Sequence, residues 1–168
     1  IIIDKIVKKN IAYRAYYLLN TLAIISGFYV AYNVKELWIG FIFVYLTISL
    51  WLYSKKYKTS FLAGNLQVAF LTFLSVLNLA IFDIIPIEKQ MNNKSQIILL
   101  IIISYAFFSF LTTLIREIIK DIEDIEGDKQ IYANTLVISL GLNRTKQIIM
   151  TLSTIMVICI TYFQYFQY

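Results

Sequence analysis

An all-α, polytopic transmembrane helix bundle is the fold class that the sequence predicts, and three observations predict it. Sixty per cent of the 168 residues are hydrophobic and 15% are charged, whereas about a quarter of a soluble domain is charged. The apolar residues gather into five stretches, at 13–32, 37–53, 61–82, 97–115 and 147–166. Each is near the ~20 residues that cross a bilayer as a helix. A single proline and five glycines leave these stretches largely unbroken.

The spans can be justified in order from their flanks. The first follows Lys5, Lys8 and Lys9 and has Arg14 near its start. The second is the shortest, with Trp38, Trp51 and Tyr53 near its ends, where aromatic side chains anchor at the membrane interface. The third follows Lys55, Lys56 and Lys58. It leads into a connection, 83–95, that holds the only proline, Pro86, and the Asn92–Asn93 pair, and that reads as a turn-containing loop. The fourth is almost uncharged until Arg116. The fifth follows Arg144 and Lys146.

Twelve of the fifteen basic residues lie on one side of this alternating arrangement. The other side has Lys35, Lys89 and Lys94. The positive-inside rule then expects an integral protein of the cytoplasmic membrane, with its N-terminus and the connection after the fourth span in the cytosol. The net charge of +5 is carried at span ends. It reads as a topology signal, so no nucleic-acid partner is expected. The chain has no histidine and one cysteine, Cys159, within an apolar run. Histidine-ligated zinc, histidine acid–base chemistry and a disulfide framework are thereby excluded. Any metal must take oxygen ligands, which suits Mg2+ or Ca2+.

The most informative segment is Arg116–Asp128, Arg-Glu-Ile-Ile-Lys-Asp-Ile-Glu-Asp-Ile-Glu-Gly-Asp. On one continuous helix Glu117, Asp121, Asp124 and Asp128 share a face, because their spacings are four, three and four. Lys120 and Lys129 lie off that face, so the stripe asks for an outside cation. A divalent metal that itself carries phosphates is the expected partner, since Mg2+ binds through one or two carboxylates and fills its shell with water and phosphate oxygens. Asp124 and Asp128 are the first candidate ligands. Asp121 is a third ligand or an outer partner, and Gly127 is where the backbone is expected to turn. The alternative is a solvated amphipathic extension of the fourth span.

Three basic residues, Lys55, Lys56 and Lys58, are expected to face the stripe from the second connection. Lys58, Tyr53 and Arg116 are candidate donors to phosphate oxygens; a plain topology loop with a tyrosine anchor is the alternative for the first two. Asn65 and Gln67 sit just inside the third span, where polar residues turn toward the bundle interior. Asn65 is a candidate substrate contact, with interhelical hydrogen bonding as the alternative for both. Phe107, Phe108 and Phe110 could line an apolar cavity between the spans or simply pack.

Arg116–Asp128, followed by Thr135-Leu136 and Gly141, resembles the second aspartate-rich motif of the UbiA-type membrane prenyltransferases. Tyr53-Ser54, Lys58 and Gly64-Asn65 resemble that family's preceding connection and span. The wording is nearest to members that prenylate a glycerol phosphate, and homogentisate prenyltransferases and chlorophyll synthases are similar. The resemblance implies nine spans around a cavity, with two aspartate-rich motifs facing each other across Mg2+ and a prenyl diphosphate. Asp124 and Asp128 match the second motif, with Asp121 before it, and the five spans match the third to seventh of the nine. The first motif is not in the sequence, and Val137 stands where the family often has proline.

The chain, opening Ile-Ile-Ile-Asp, is thus expected to be one membrane-domain fragment, 1–168, of a longer enzyme and inactive alone. The implied reaction is Mg2+-dependent prenyl transfer to a glycerol-phosphate ether-lipid acceptor. An aromatic acceptor of quinone biosynthesis and a non-catalytic membrane protein are the alternatives. Implied partners are the prenyl diphosphate, the lipid or aromatic acceptor and membrane lipids.

Overall fold

The structure, a computed structural model, describes residues 8–84 and 94–167. It contains α1 (Lys9–Asn33), a 3-10 turn (Leu37–Gly40) leading into α2 (Phe41–Lys55), a second 3-10 turn (Tyr57–Thr59), and α3 (Ala63–Leu79), which runs into a π turn (Ala80–Ile84). These are followed by α4 (Lys94–Glu123), the short α5 (Ile125–Gln130) and α6 (Leu136–Leu140), and α7 (Leu142–Gln167). There is no strand among the described residues. Five helices are long and apolar enough to cross a membrane, and the chain is an integral membrane protein.

The α1–α2 hairpin is tight because Lys35 takes a left-handed backbone (φ 63°), which lets Glu36 N–H reach the Ala31 carbonyl at 3.1 Å. Trp38 is pinned beside this turn, its indole N–H donating to Glu36 Oε2 at 2.8 Å. The loop expected over 83–95 is shorter at both ends. Asp83 and Ile84 continue α3 through the π turn, and α4 already begins at Lys94. Pro86, Lys89 and the Asn92–Asn93 pair lie outside the described residues, as does Lys5.

Packing is centred on α3 and α4, the most extensively paired helices, with α7 laid against α4. The buried core is Ala69, Leu114, Ile118 and Leu136, enclosed by Leu62, Phe110, Leu140, Ile148, Ile149 and Leu152. Phe108 meets Phe163 of α7 edge-to-face at 6.1 Å, and Thr72 donates across to Thr113 at 3.1 Å. Most large apolar side chains elsewhere face outward. Lipid tails are as apolar as leucine, so this exposure carries no penalty in a bilayer.

At 30 residues α4 is ~45 Å long, well beyond the ~30 Å of a hydrocarbon core. Its last two turns, from Arg116, therefore extend past the apolar stretch. Two long-range hydrogen bonds fix what surrounds them. Asn65, in the first turn of α3, donates to Asp121 near the end of α4. Asn134 N–H donates to the Thr59 carbonyl at 2.9 Å. The α2–α3 connection and the acidic stretch thus share one end of the bundle.

Candidate functional site

The acidic stretch is not one continuous helix. It breaks at Asp124 (φ −90°, ψ 7°), where α4 ends and α5 begins. The kink is slight, because Asp124 N–H still bonds the Lys120 carbonyl and Asp128 N–H the Asp124 carbonyl, each at 2.9 Å. Gly127, the expected turning point, lies inside α5, and a Cβ built on it meets nothing within 4 Å. The real stop comes after α5. Tyr132 takes a left-handed backbone (φ 54°), and Ala133 N–H closes on the Asp128 carbonyl at 3.0 Å. A six-to-one bond of this kind is a Schellman cap, so Asp128 is held at the base of a capped turn. Gly141 (φ 80°) ends α6.

The four acids take different environments. Glu117 is buried, at 8% exposure, and is paired with Arg116, whose Nη1 lies 3.0 Å from Glu117 Oε1. The stripe was expected to lack any cation of its own, and this ion pair corrects that. Arg116 was expected to be a phosphate donor; its guanidinium is mostly exposed but already shared with Glu117. Asp121 is half-buried, accepts from Asn65 Nδ2 at 2.7 Å, and lies within electrostatic reach of Glu117, Lys120 and Asp128. Asp124 is exposed and Asp128 half-buried. Lys120, set off the face by the sequence reading, reaches both Asp121 and Tyr53 electrostatically. The signal available was its place one residue before Asp121.

Tyr53 is half-buried at the end of α2, within reach of Glu117 and Asp121. Lys58 is exposed on the 3-10 turn that Asn134 grips through Thr59. Lys55 does not face the acids as expected. Its ammonium lies 4.2 Å over the Trp51 ring, in a wedge between α1 and α2 lined also by Lys9, Tyr13 and Tyr16. The turn carrying Lys58 is pressed onto α3 at Gly64, where a Cβ would stand 2.5 Å from the Tyr57 carbonyl oxygen. Only glycine permits that approach.

Below the mouth, between α2 and α3, runs a groove of about 590 Å³ lined by Tyr45, Ile48, Leu52, Leu66, Phe70 and Phe110, with Tyr57 and Ala63 at the mouth end. Gln67 crosses its floor and donates to the Ser49 hydroxyl at 2.7 Å. Gln67 is therefore an interhelical tie, and of the three phenylalanines Phe110 alone reaches this groove.

No three carboxylates among the described residues converge into a closed metal cage. The expected trio of Asp121, Asp124 and Asp128 is thus not assembled around one point. A divalent ion that brings phosphate ligands does not need such a cage, because one or two carboxylates suffice. Asp124 and Asp128, one helical turn apart and open to solvent, suit an ion of that kind.

The acidic stretch and the turn that carries Lys58 thus lie at one end of the bundle, next to an apolar groove. Residues 4–168 match the UbiA prenyltransferase family, and the chain belongs to that family. Among particular relatives, it is similar to the digeranylgeranylglyceryl phosphate synthase of Methanosphaera stadtmanae, 38% identical over 116 residues that cover 69% of this chain and 38% of that protein. It is similar also to those of Methanobrevibacter smithii (38% over 126 residues, 74% and 41% of the two chains) and Saccharolobus solfataricus (37% over 113 residues, 66% and 36%). The chain spans about two fifths of the length of these curated relatives. No solved structure matches it.

Proposed function

We propose that this chain forms the diphosphate-holding wall of a membrane prenyltransferase that transfers an isoprenoid chain from a prenyl diphosphate to a glycerol-phosphate lipid. The observation that carries the proposal is the shared end of the bundle. The hydrogen bonds Asn65–Asp121 and Asn134–Thr59 bring the Lys58 turn and the acidic stretch together over an apolar groove. The named activity of the similar proteins supports this acceptor class.

In the proposed reaction the bond between the allylic carbon and the diphosphate oxygen breaks, an acceptor hydroxyl oxygen forms the new carbon–oxygen bond, and the hydroxyl proton passes to the released diphosphate. Asp124 and Asp128 would hold Mg2+, with Asp121 behind them. When bound, the ion adds positive charge against the departing diphosphate. Lys58 and the exposed face of Arg116 contribute further positive charge to the same oxygens, and the Tyr53 hydroxyl is placed to donate to them. The groove from Tyr57 down to Phe110 takes the isoprenoid chain and keeps the reacting carbon from water. The site is assigned to the cytosolic face on the distribution of basic residues.

The test is transfer of radiolabelled prenyl diphosphate by the intact protein in liposomes, offered a prenylated glycerol-phosphate lipid, 4-hydroxybenzoate and homogentisate in separate reactions. Labelled ether lipid is the expected product. Label on an aromatic acceptor alone would replace the acceptor class, and no transfer to any of them would remove the proposed activity.

A further inference from the structure

Asn65 and Asp121 lie 56 positions apart, and their side chains meet at 2.7 Å. Asn65 is buried at 8% exposure and Asp121 half-buried, so the bond is made largely out of water, where an amide-to-carboxylate bond is strong. The amide is a neutral donor. It holds the carboxylate still without cancelling its charge. Among the described residues Asp121 has no salt-bridged cation; Asp128 and Glu117 bear on it with the same sign and Lys120 with the opposite one, each without a hydrogen bond, which Asn65 alone supplies. Its orientation therefore depends on Asn65.

The neighbour of Asn65 in sequence is Gly64, which touches the carbonyl of Tyr57 on the turn that carries Lys58. Two consecutive residues at the start of α3 thus face two different parts of the site. Gly64 meets the cationic turn, and Asn65 meets the helix that breaks at Asp124, three residues beyond Asp121. The start of α3 sets the spacing between Lys58 and the Asp124–Asp128 pair. With Asp121 Oδ2 already engaged on α3, that carboxylate serves the spacing, and the exposed Asp124 and half-buried Asp128 are left to meet the ligand.

We infer that Asn65 is a positioning residue that acts through Asp121, and that the pair is a latch between α3 and the acidic stretch. Asn65 does not contact the diphosphate, and Asp121 does not coordinate the metal. The inference rests on the proposed function for its activity readout only, since the latch itself is a matter of geometry.

The experiment uses the intact protein carrying Asn65→Ala, Asp121→Ala, or the exchanged pair Asn65→Asp with Asp121→Asn. The exchange restores one amide and one carboxylate with donor and acceptor reversed. Three quantities are read: thermal unfolding in the presence of a chelator, Mg2+-dependent binding of an unreactive prenyl thiolodiphosphate, and transfer. Each single variant is expected to lose binding and transfer by roughly 10–100-fold, as outer partners of a metal site do. The exchanged pair is expected to recover both to within about threefold, because the two positions are coupled. Its unfolding temperature should return with them.

If the exchanged pair folds like wild type yet binds as poorly as Asp121→Ala, then Asp121 is a direct ligand and the inference fails. If Asn65→Ala loses binding and transfer while its unfolding temperature stays at the wild-type value, Asn65 touches the substrate and the inference fails. Should the wild-type protein transfer nothing, the functional reading falls. The latch is then judged on unfolding alone: recovery in the exchanged pair upholds it, and additive destabilisation overturns it.

Discussion

Asn134 donates its backbone N–H to the carbonyl of Thr59 at 2.9 Å, and this bond ties the loop after Asp128 to the turn that carries Lys58. The acidic stretch is held at both ends, by a side chain upstream and by backbone groups downstream. Upstream, Asp121 is held by Asn65; downstream, the Asp128 carbonyl is closed by the cap at Ala133 and the chain then reaches Thr59. The carboxylates of Asp124 and Asp128 sit between two fixed points.

Asp124→Ala and Asp128→Ala in the intact protein should each reduce Mg2+-dependent transfer by about 10²–10³-fold, the scale of removing a group aimed at developing charge. Asn at either position should fail as well, because under the proposed function it is the carboxylate charge that would hold the metal. Glu123 and Glu126 are exposed and off the shared face, so their alanine variants should keep most activity. Steady-state kinetics across the four positions checks this; equal losses at all four would remove the distinction between the two helix faces.

Gly64→Ala and Gly127→Ala should change stability in opposite directions. Alanine is favoured over glycine in a helix by about 0.8–1 kcal/mol, and Gly127 has open space around it, so that variant should gain most of this. At Gly64 the new Cβ meets a backbone carbonyl at 2.5 Å. An overpacking cost of about 1–3 kcal/mol then exceeds the helix gain. Thermal unfolding in detergent should show Gly64→Ala melting lower than wild type and Gly127→Ala higher.

Tyr132→Gly should stabilise the protein by about 0.5–1 kcal/mol, because a left-handed backbone is costly for a residue with a Cβ and glycine adopts it freely. Tyr132 is 95% exposed, so little packing is lost with the ring. A fall in unfolding temperature would mean that the ring has a contact of its own.

The acidic stretch should be cytosolic and the Lys89–Lys94 loop external, on the strength of twelve basic residues against three. In a Cys159→Ala background, a membrane-impermeant thiol reagent added outside should modify Asn93→Cys and spare Glu126→Cys. The reverse pattern would invert the orientation.

The five membrane helices were legible in the sequence because burial in lipid requires only a long apolar run, and that signal is local. The family was legible because the wording of Arg116–Asp128, with Thr135-Leu136 and Gly141 after it, is a contiguous motif that needs no tertiary contact to be read. The details of the site were not. Gly127 was the obvious turning residue, yet the chain breaks at Asp124 and is capped at Tyr132, where tertiary bonds to α3 and to Thr59 outweigh local propensity. Adjacent residues on a helix do not face each other, which concealed the Arg116–Glu117 pair; the length of the arginine side chain makes it possible. Lys55 looked equivalent to Lys58, and the Trp51 ring in its own helix drew it away. The Asn65–Asp121 bond spans 56 positions and exists only once α3 and α4 have packed.

The measurement that bears most directly on this account is equilibrium binding of a radiolabelled prenyl thiolodiphosphate to the intact protein in liposomes, with Mg2+ and after chelation, for wild type and Asp128→Asn. The account predicts saturable binding that needs Mg2+ in the wild type and is lost in Asp128→Asn even when Mg2+ is abundant. Binding of equal strength in all four conditions would contradict it, because the diphosphate would then be held without the acidic stretch.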